Sequence, residues 1–448
     1  MRNPYVTLPM LLLVVSTTSH ANHQLNEEQK LGELLFQDKK LSLKKNQACA
    51  SCHSLKPADG KNLVTHWVPG FVDPDNVKKG TAVSKGSVAG ATGALNAPSI
   101  AYAAFSPLFH FDENEGLYIG GQFWNGRASD LSEQAKKPFL NPVEMAMPNE
   151  WAVVERIKQQ QKYKHLFWKV YGINLDETPG NQVKNVPRDE TPYSVLNVFN
   201  LAAKAISEFE KTSTFNKFTS KFDYVLAGKT TFTDLEAKGL GLFNGKANCA
   251  ACHISKVTVN DNGELVPPMF TDFTYDNIGL PRNVNIPNNP EPNLGLGERS
   301  DIAQADPEGL EIGKHKVMSL RNIALTPPYG HNGVLATLEQ VVHFYNTRDI
   351  LGTVSDNNDQ KFGKSGWPMA EVADNVNHDE LGNLGLTEEE EKAIVAFLKT
   401  LTDDYQKWGR DNQVPPWSSI PIGSGEPRTA RSNSSRPFPG LGTFLSSK

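Results

Sequence analysis

A mainly α protein built as two helical units is the fold that this chain of 448 residues predicts. Three observations carry the expectation. Apolar residues recur at helical spacing in several segments, whereas strand-like alternation is weak throughout. The pentapeptide Cys49-Ala50-Ser51-Cys52-His53 returns 200 residues later as Cys249-Ala250-Ala251-Cys252-His253, each copy behind a segment of similar type, LGELLFQDKKLS and LGLFNGKANC. The length exceeds what one small core needs and favours two or three units.

Taken in order, residues 1–21 open with Arg2, run through Leu8-Pro9-Met10-Leu11-Leu12-Leu13-Val14-Val15 and end in Ser19-His20-Ala21. A basic start, a short apolar run and small residues before the cut are the pattern of a secretory signal. Cleavage is expected near Ala21, which makes the mature protein periplasmic, or surface-associated. The apolar run is too short to span a bilayer, so no stable membrane insertion is expected. A net charge of −5 with 38% apolar residues excludes nucleic acid as a partner and suits a globular protein.

Asn26-Glu27-Glu28 then opens a helix whose Leu31, Leu34 and Leu35 form an apolar stripe. Residues 56–100, rich in Gly, Ser, Pro and Lys, predict a long wrapping loop. Helical pattern returns over Asn149 to Tyr171, through Val153, Val154 and Ile157, and over Tyr193 to Phe209, through Val195, Val198, Phe199, Ala202 and Ile206. A second unit starts near Thr233, where Thr233-x-x-Glu236 has the form of a capping box. Residues 254–316 predict a second wrapping loop, and Thr387-x-x-Glu390 caps a last helix with Ile394, Phe397, Leu398 and Leu401 on one face. The acidic run Glu388 to Glu391 suits a helix N-terminus and suggests nothing more. The expected boundaries are 1–21 for the signal, 22–215 and 216–408 for the two units, and 409–448 for a Pro-, Ser- and Gly-rich tail.

The two pentapeptides are C-x-x-C-H, in which two thiols add across the vinyl groups of a porphyrin and the adjacent imidazole ligates its iron. A lone C-x-x-C would serve a zinc half-site, a redox dithiol or a disulfide equally well. A histidine follows both copies and no cysteine is left over, so two covalently bound c-type haems are expected. They are held by Cys49, Cys52 and His53 and by Cys249, Cys252 and His253, one haem in each cytochrome-c-like unit.

Phe123-Trp124-Asn125-Gly126-Arg127-Ala128, then Gln134, Pro138 and Glu144, and later Ser319-Leu320-Arg321-Asn322-Ile323-Ala324-Leu325-Thr326-Pro327-Pro328-Tyr329 occur in this order. From about residue 25 to about 405 the chain resembles the bacterial di-haem cytochrome c peroxidase superfamily, which includes a MauG-like branch. The resemblance implies hydrogen peroxide as substrate at the N-terminal haem, with Glu144 and Gln134 over its open face and Pro138 beside them. Cleaving an O–O bond needs a proton moved from one oxygen to the other, which a carboxylate in reach can do. Glu144 stands among Pro142, Val143, Met145 and Met147, a setting that raises a carboxyl pKa. The resemblance also implies Trp124 as an electron relay between the haems, and a calcium ion held by Asn96 with carbonyls of Thr326 and Pro328, oxygen donors that suit a hard cation.

The second axial ligand of the second haem separates the branches. Methionine raises the potential, and phenolate stabilises oxidised iron. By motif position that ligand is Tyr345, as in the MauG-like branch, with His343, Met318 and Met369 as other donors. His343 and Tyr345 are two apart, so on a helix only one of them points at the iron. Ser84 to Leu95 holds no histidine to cap the first haem, while His66 and His110 flank that stretch. The MauG-like reading implies two oxidising equivalents shared between the haems and long-range oxidation of tryptophan or tyrosine in a periplasmic or surface partner protein. The alternatives are a di-haem peroxidase drawing electrons from a small cytochrome or cupredoxin, and a non-enzymatic electron carrier. The insertion Phe109 to Gly121 and the tail are departures from a simple peroxidase.

Overall fold

Glycine sets how the first helix packs. Asn26 and Gln29 exchange hydrogen bonds in a capping box that opens helix Glu27–Phe36, which buries Leu31, Gly32, Leu35 and Phe36. A Cβ on Gly32 would lie 1.9 Å from the carbonyl oxygen of Ala205, so only glycine allows this closeness to helix Tyr193–Glu210. The second unit repeats the device. The Thr233 box opens helix Asp234–Asn244, and a Cβ on Gly239 would lie 2.0 Å from the carbonyl oxygen of Ala393 in helix Glu388–Lys399, itself opened by the Thr387 box. Four residues after each glycine comes a phenylalanine, Phe36 or Phe243, that is fully buried.

The computed structural model describes residues 24–58, 68–180, 187–259, 265–287, 289 and 291–408. The expected signal, its cleavage site, the tail and His66 lie outside the described residues. The fold is mainly helical, with four two-stranded ladders among the described residues. No helix there is long and apolar enough to cross a membrane.

Most buried apolar side chains fall into two clusters. One runs from Leu31 to Phe218 and adds Met269, and the other runs from Phe222 to Leu401. A buried polar knot joins segments from both. Arg321 donates to both carboxylate oxygens of Asp223 at 3.0 and 3.1 Å, and Tyr102 donates to Asp403, which also accepts from Asn322.

One expectation changes. The pattern over 149–171 is two helices, Glu150–Lys158 and Gln161–Tyr171, rather than one. Ile157 and Tyr163 are both buried yet six residues apart, which at 100° per residue puts them on different faces of a straight helix, so the chain breaks between them. The insertion Phe109 to Gly121 contains an antiparallel hairpin, His110–Asp112 against Leu117–Ile119.

Candidate haem centres

Each C-x-x-C-H forms a short helical turn: Cys49–Cys52 is one turn of α-helix, and Cys249–Ala251 is a 3₁₀ turn. His53 Nδ1 faces the carbonyl oxygen of Phe71 at 3.2 Å, and His253 Nδ1 faces that of Phe270 at 2.7 Å. A ring nitrogen that faces a carbonyl carries the proton, which leaves Nε2 of each histidine as the metal-binding atom. Phe71 and Phe270 also share a left-handed backbone, both at φ +54°, so the two ligand supports are built alike. Burial lowers both imidazoles to about 4, so they stay neutral, the form that ligates.

The cysteines are unpaired. Burial pushes the thiols of Cys52, Cys249 and Cys252 up to about 12, with Cys49 raised as well. A redox dithiol needs the opposite, a thiol pKa held low. Unpaired, protonated thiols beside a neutral histidine fixed through Nδ1 fit thioether attachment of haem, and Cys49, Cys52 and His53 also line a cavity.

Helix Leu131–Leu140 carries Gln134 and Pro138 one turn apart, and both line the cavity that holds Cys49, Cys52 and His53. Glu144 lines it too, from the turn after that helix. Its Oε1 accepts from Asn141 Nδ2 at 2.6 Å. Burial raises the Glu144 carboxyl, against smaller opposing effects of Asn141 and the Arg127 guanidinium. A carboxyl so placed holds a proton more readily than a surface glutamate does. The same cavity contains Glu210, which the sequence reading passed over. It is 4% exposed, its Oε2 has no hydrogen-bond partner, and burial lifts it to about 8. A signal existed: Glu210 follows Ile206 by four positions and so extends the apolar stripe with an acid.

Trp124 sits where segments of both halves meet. Its indole Nε1 donates to the carbonyl oxygen of Asn96 at 2.9 Å, and its own carbonyl accepts from Lys316 N at 2.8 Å. Asn96 is buried and uses Nδ2 to donate to Ala82. Its remaining amide oxygen is the kind of neutral donor a hard cation takes. Thr326 donates its hydroxyl to Ile323, which leaves its carbonyl as the donor on offer, and Pro328 has only a carbonyl. His110 lies on the insertion hairpin with Nδ1 against the carbonyl of Leu108, at 2.8 Å.

At the second centre the helix Leu338–Thr347 separates its two candidate ligands. His343 Nδ1 is held by both carboxylate oxygens of Glu391, at 3.0 and 3.2 Å. Tyr345 turns the other way. Its phenol is raised by burial and, less, by the electrostatic influence of Cys252, Asp276 and Cys249. Met369 is 70% exposed. Met318 is half-buried.

Residues 26–231 match the family model described as di-haem cytochrome c peroxidase. The chain is similar to the methylamine utilization protein MauG of Paracoccus denitrificans, 36% identical over 402 residues that cover 88% of this chain and 94% of that protein. It is also similar to the cytochrome c551 peroxidase of Nitrosomonas europaea, at 29% identity over 84% of this chain and 79% of that one. Among solved structures, a variant of the diheme peroxidase BthA from Burkholderia thailandensis superposes with a TM-score of 0.65 at 25% identity, covering 88% of this chain and 90% of that one. A MauG-like protein associated with microbial copper homeostasis superposes at 0.58 with 27% identity, covering 86% and 91%. This chain therefore belongs to the di-haem cytochrome c peroxidase family of haem-dependent oxidoreductases that act with peroxide.

Proposed function

We propose that this protein is an exported enzyme that uses hydrogen peroxide to oxidise tryptophan or tyrosine residues of a partner protein at a distance from its haems. The observation that carries the reading is the division of labour on helix Leu338–Thr347. Glu391 engages His343 through Nδ1, and Tyr345, two positions on, faces nearly the opposite side of the helix, within electrostatic range of Cys252 and Cys249. A tyrosine ligand stabilises oxidised iron, whereas a methionine ligand suits an acceptor of electrons from a small cytochrome.

Residues 22–215 form the peroxide-reacting unit in this reading and 216–408 the second haem unit. Cys49, Cys52 and His53 hold one haem c, and Cys249, Cys252, His253 and Tyr345 hold the other. The bound haems supply the iron at which the peroxide bond is cleaved and the redox couple that stores the oxidising equivalents. Glu144 takes the proton from one peroxide oxygen and returns it to the departing one. Asn141 fixes one carboxylate oxygen of Glu144, so the other is the atom that exchanges the proton. Gln134 and Pro138 shape the same face and limit the water that reaches it. Trp124 passes electrons between the units. Tyr345 must lose its proton to ligate, and a nearby iron reverses the upward push that burial alone exerts on the phenol. A calcium ion at Asn96, Thr326 and Pro328 would tie the Trp124 support to the segment that follows Arg321.

Tyr345→Met tests the reading. The natural protein is expected to turn over reduced small cytochrome c poorly with peroxide, and the variant to do so at a clearly higher rate. Resonance Raman bands of an iron phenolate are expected to vanish in the variant. Equal, fast cytochrome turnover by both proteins, with no phenolate bands in either, would establish the peroxidase alternative and sink this one.

A further inference from the structure

Trp124 stands against a buried assembly that none of the site residues explains. The ring of His331 meets the indole edge to face, with centroids 6.4 Å apart and planes at 72°. Behind it His315 lies flat on His331, with centroids 3.6 Å apart and planes within 1°. His331 Nε2 is paired with Glu371 Oε2 at 2.9 Å, and the two side chains are 8% and 2% exposed. Glu371 also accepts from Asn332 Nδ2 at 3.1 Å and, through Oε1, from Asn293 N at 3.2 Å. Asn293 in turn receives His315 Nε2 on its amide oxygen at 2.6 Å, which closes the ring of contacts.

The chemistry of Trp124 gives this assembly a task. When Trp124 gives up one electron, its N–H proton has nowhere to go, because Nε1 donates to a carbonyl oxygen and not to a base. The indole then keeps a full positive charge until an electron from the second haem unit refills it. The cation on its own segment is Arg127, which lies over the ring of Phe123 at 3.5 Å. Lys316, whose backbone N–H meets the Trp124 carbonyl, is buried with its amine on Ser106 and Gly121, and burial lowers that amine to about 7. Two carboxylates come near: Glu298 accepts from Asn125 at 3.4 Å, beside the Trp124 backbone, while Glu371 reaches the indole ring itself through one imidazole. Burial pushes its carboxyl up, but the bond and charge of His331, with the bonds from Asn293 and Asn332, outweigh it and hold the carboxyl below the usual range, so its charge persists at neutral pH.

We infer that Glu371, acting through His331, is the counter-charge that allows Trp124 to carry positive charge between the two haem units, with His315 and Asn293 fixing the pair. The inference rests on the reading of Trp124 as the relay. Glu371 is thus a positioning residue that works on the energy of the indole.

The test compares the full-length holoprotein with Glu371→Gln, Glu371→Asp, His331→Phe and Trp124→Phe. After one equivalent of peroxide, the rate at which the spectrum of the second haem changes is followed by stopped flow, with haem content and ferric spectra as controls. Glu371→Gln is expected to slow that change about ten-fold or more, as the loss of one buried charge on the far side of a single imidazole predicts. Glu371→Asp is expected to restore most of the rate, which a purely structural role would not produce. His331→Phe keeps the ring and loses the link to the acid, and it is expected to behave like Glu371→Gln, so the inference stays testable should one variant fold poorly. If Glu371→Gln or His331→Phe keeps the natural rate while Trp124→Phe loses it, the inference is wrong and the relay stands. If Trp124→Phe also keeps the natural rate, the relay reading falls and takes this inference with it.

Discussion

Replacing Glu210 by Gln should change how the stability of the protein depends on pH. The Glu210 side chain is buried at the end of helix Tyr193–Glu210, Oε2 has no partner, and burial lifts its carboxyl to about 8. In an unfolded chain the same carboxyl titrates near about 4.3. Between these values the folded protein binds one proton more than the unfolded one, so the Glu210 contribution is fully present below the unfolded pKa and is lost as pH rises through the folded one. At about 1.4 kcal/mol per pH unit, the loss from pH 5 to pH 7.5 comes to about 3 kcal/mol. Gln fills nearly the same volume and does not titrate. The free energy of unfolding, from urea titrations of the holoprotein followed by far-ultraviolet circular dichroism at pH 5, 6.25 and 7.5, should therefore diverge between the two proteins. The variant is expected to gain about 3 kcal/mol on the natural protein across that span. All other titrating groups are common to both and cancel in the difference. Parallel pH profiles would show that Glu210 ionises normally in the folded state and would refute the argument from its burial.

Two further predictions concern catalysis and packing. Glu144→Gln keeps an oxygen for Asn141 but cannot carry a proton, so peroxide consumption should fall by about 10²- to 10⁴-fold with both haems still attached; an unchanged rate with full haem content would remove Glu144 from the proton path. Gly239→Ala places a methyl group 2.0 Å from the carbonyl oxygen of Ala393 and should destabilise by about 1–3 kcal/mol as the helices are forced apart. Gly241→Ala, two positions along the same helix with nothing within 4 Å, should instead stabilise by up to about 1 kcal/mol. Equal melting temperatures for these two variants would contradict the close approach.

What could be read in advance was local. The boxes at Thr233 and Thr387 and the stripe of Tyr193 to Phe209 involve residues within a turn or two of one another, and the structure contains them as expected. The assembly behind Trp124 had no such signal. His331 and Glu371 are 40 positions apart, and neither belongs to a periodic stripe. The break between Ile157 and Tyr163 was legible in principle, since their spacing does not fit one helical face, but Val153, Val154 and Ile157 dominate the pattern and hide the change of register.

The second haem ligand shows where local reading ends. Two-residue spacing on a helix dictates that His343 and Tyr345 diverge, yet nothing within that helix says which of them faces the cavity. A partner for one of them comes from far along the chain. Glu391 belongs to the acidic run that, read locally, serves only a helix N-terminus. Folding carries it 48 residues back to His343, where it also accepts from Asn346 Nδ2 at 2.6 Å. A carboxylate bound to both residues holds the rotation of helix Leu338–Thr347, and Tyr345, about 200° round the helix from His343, turns away from Glu391. The partner that fixes His343 therefore comes from outside the helix, and no periodicity within Leu338–Thr347 announces it.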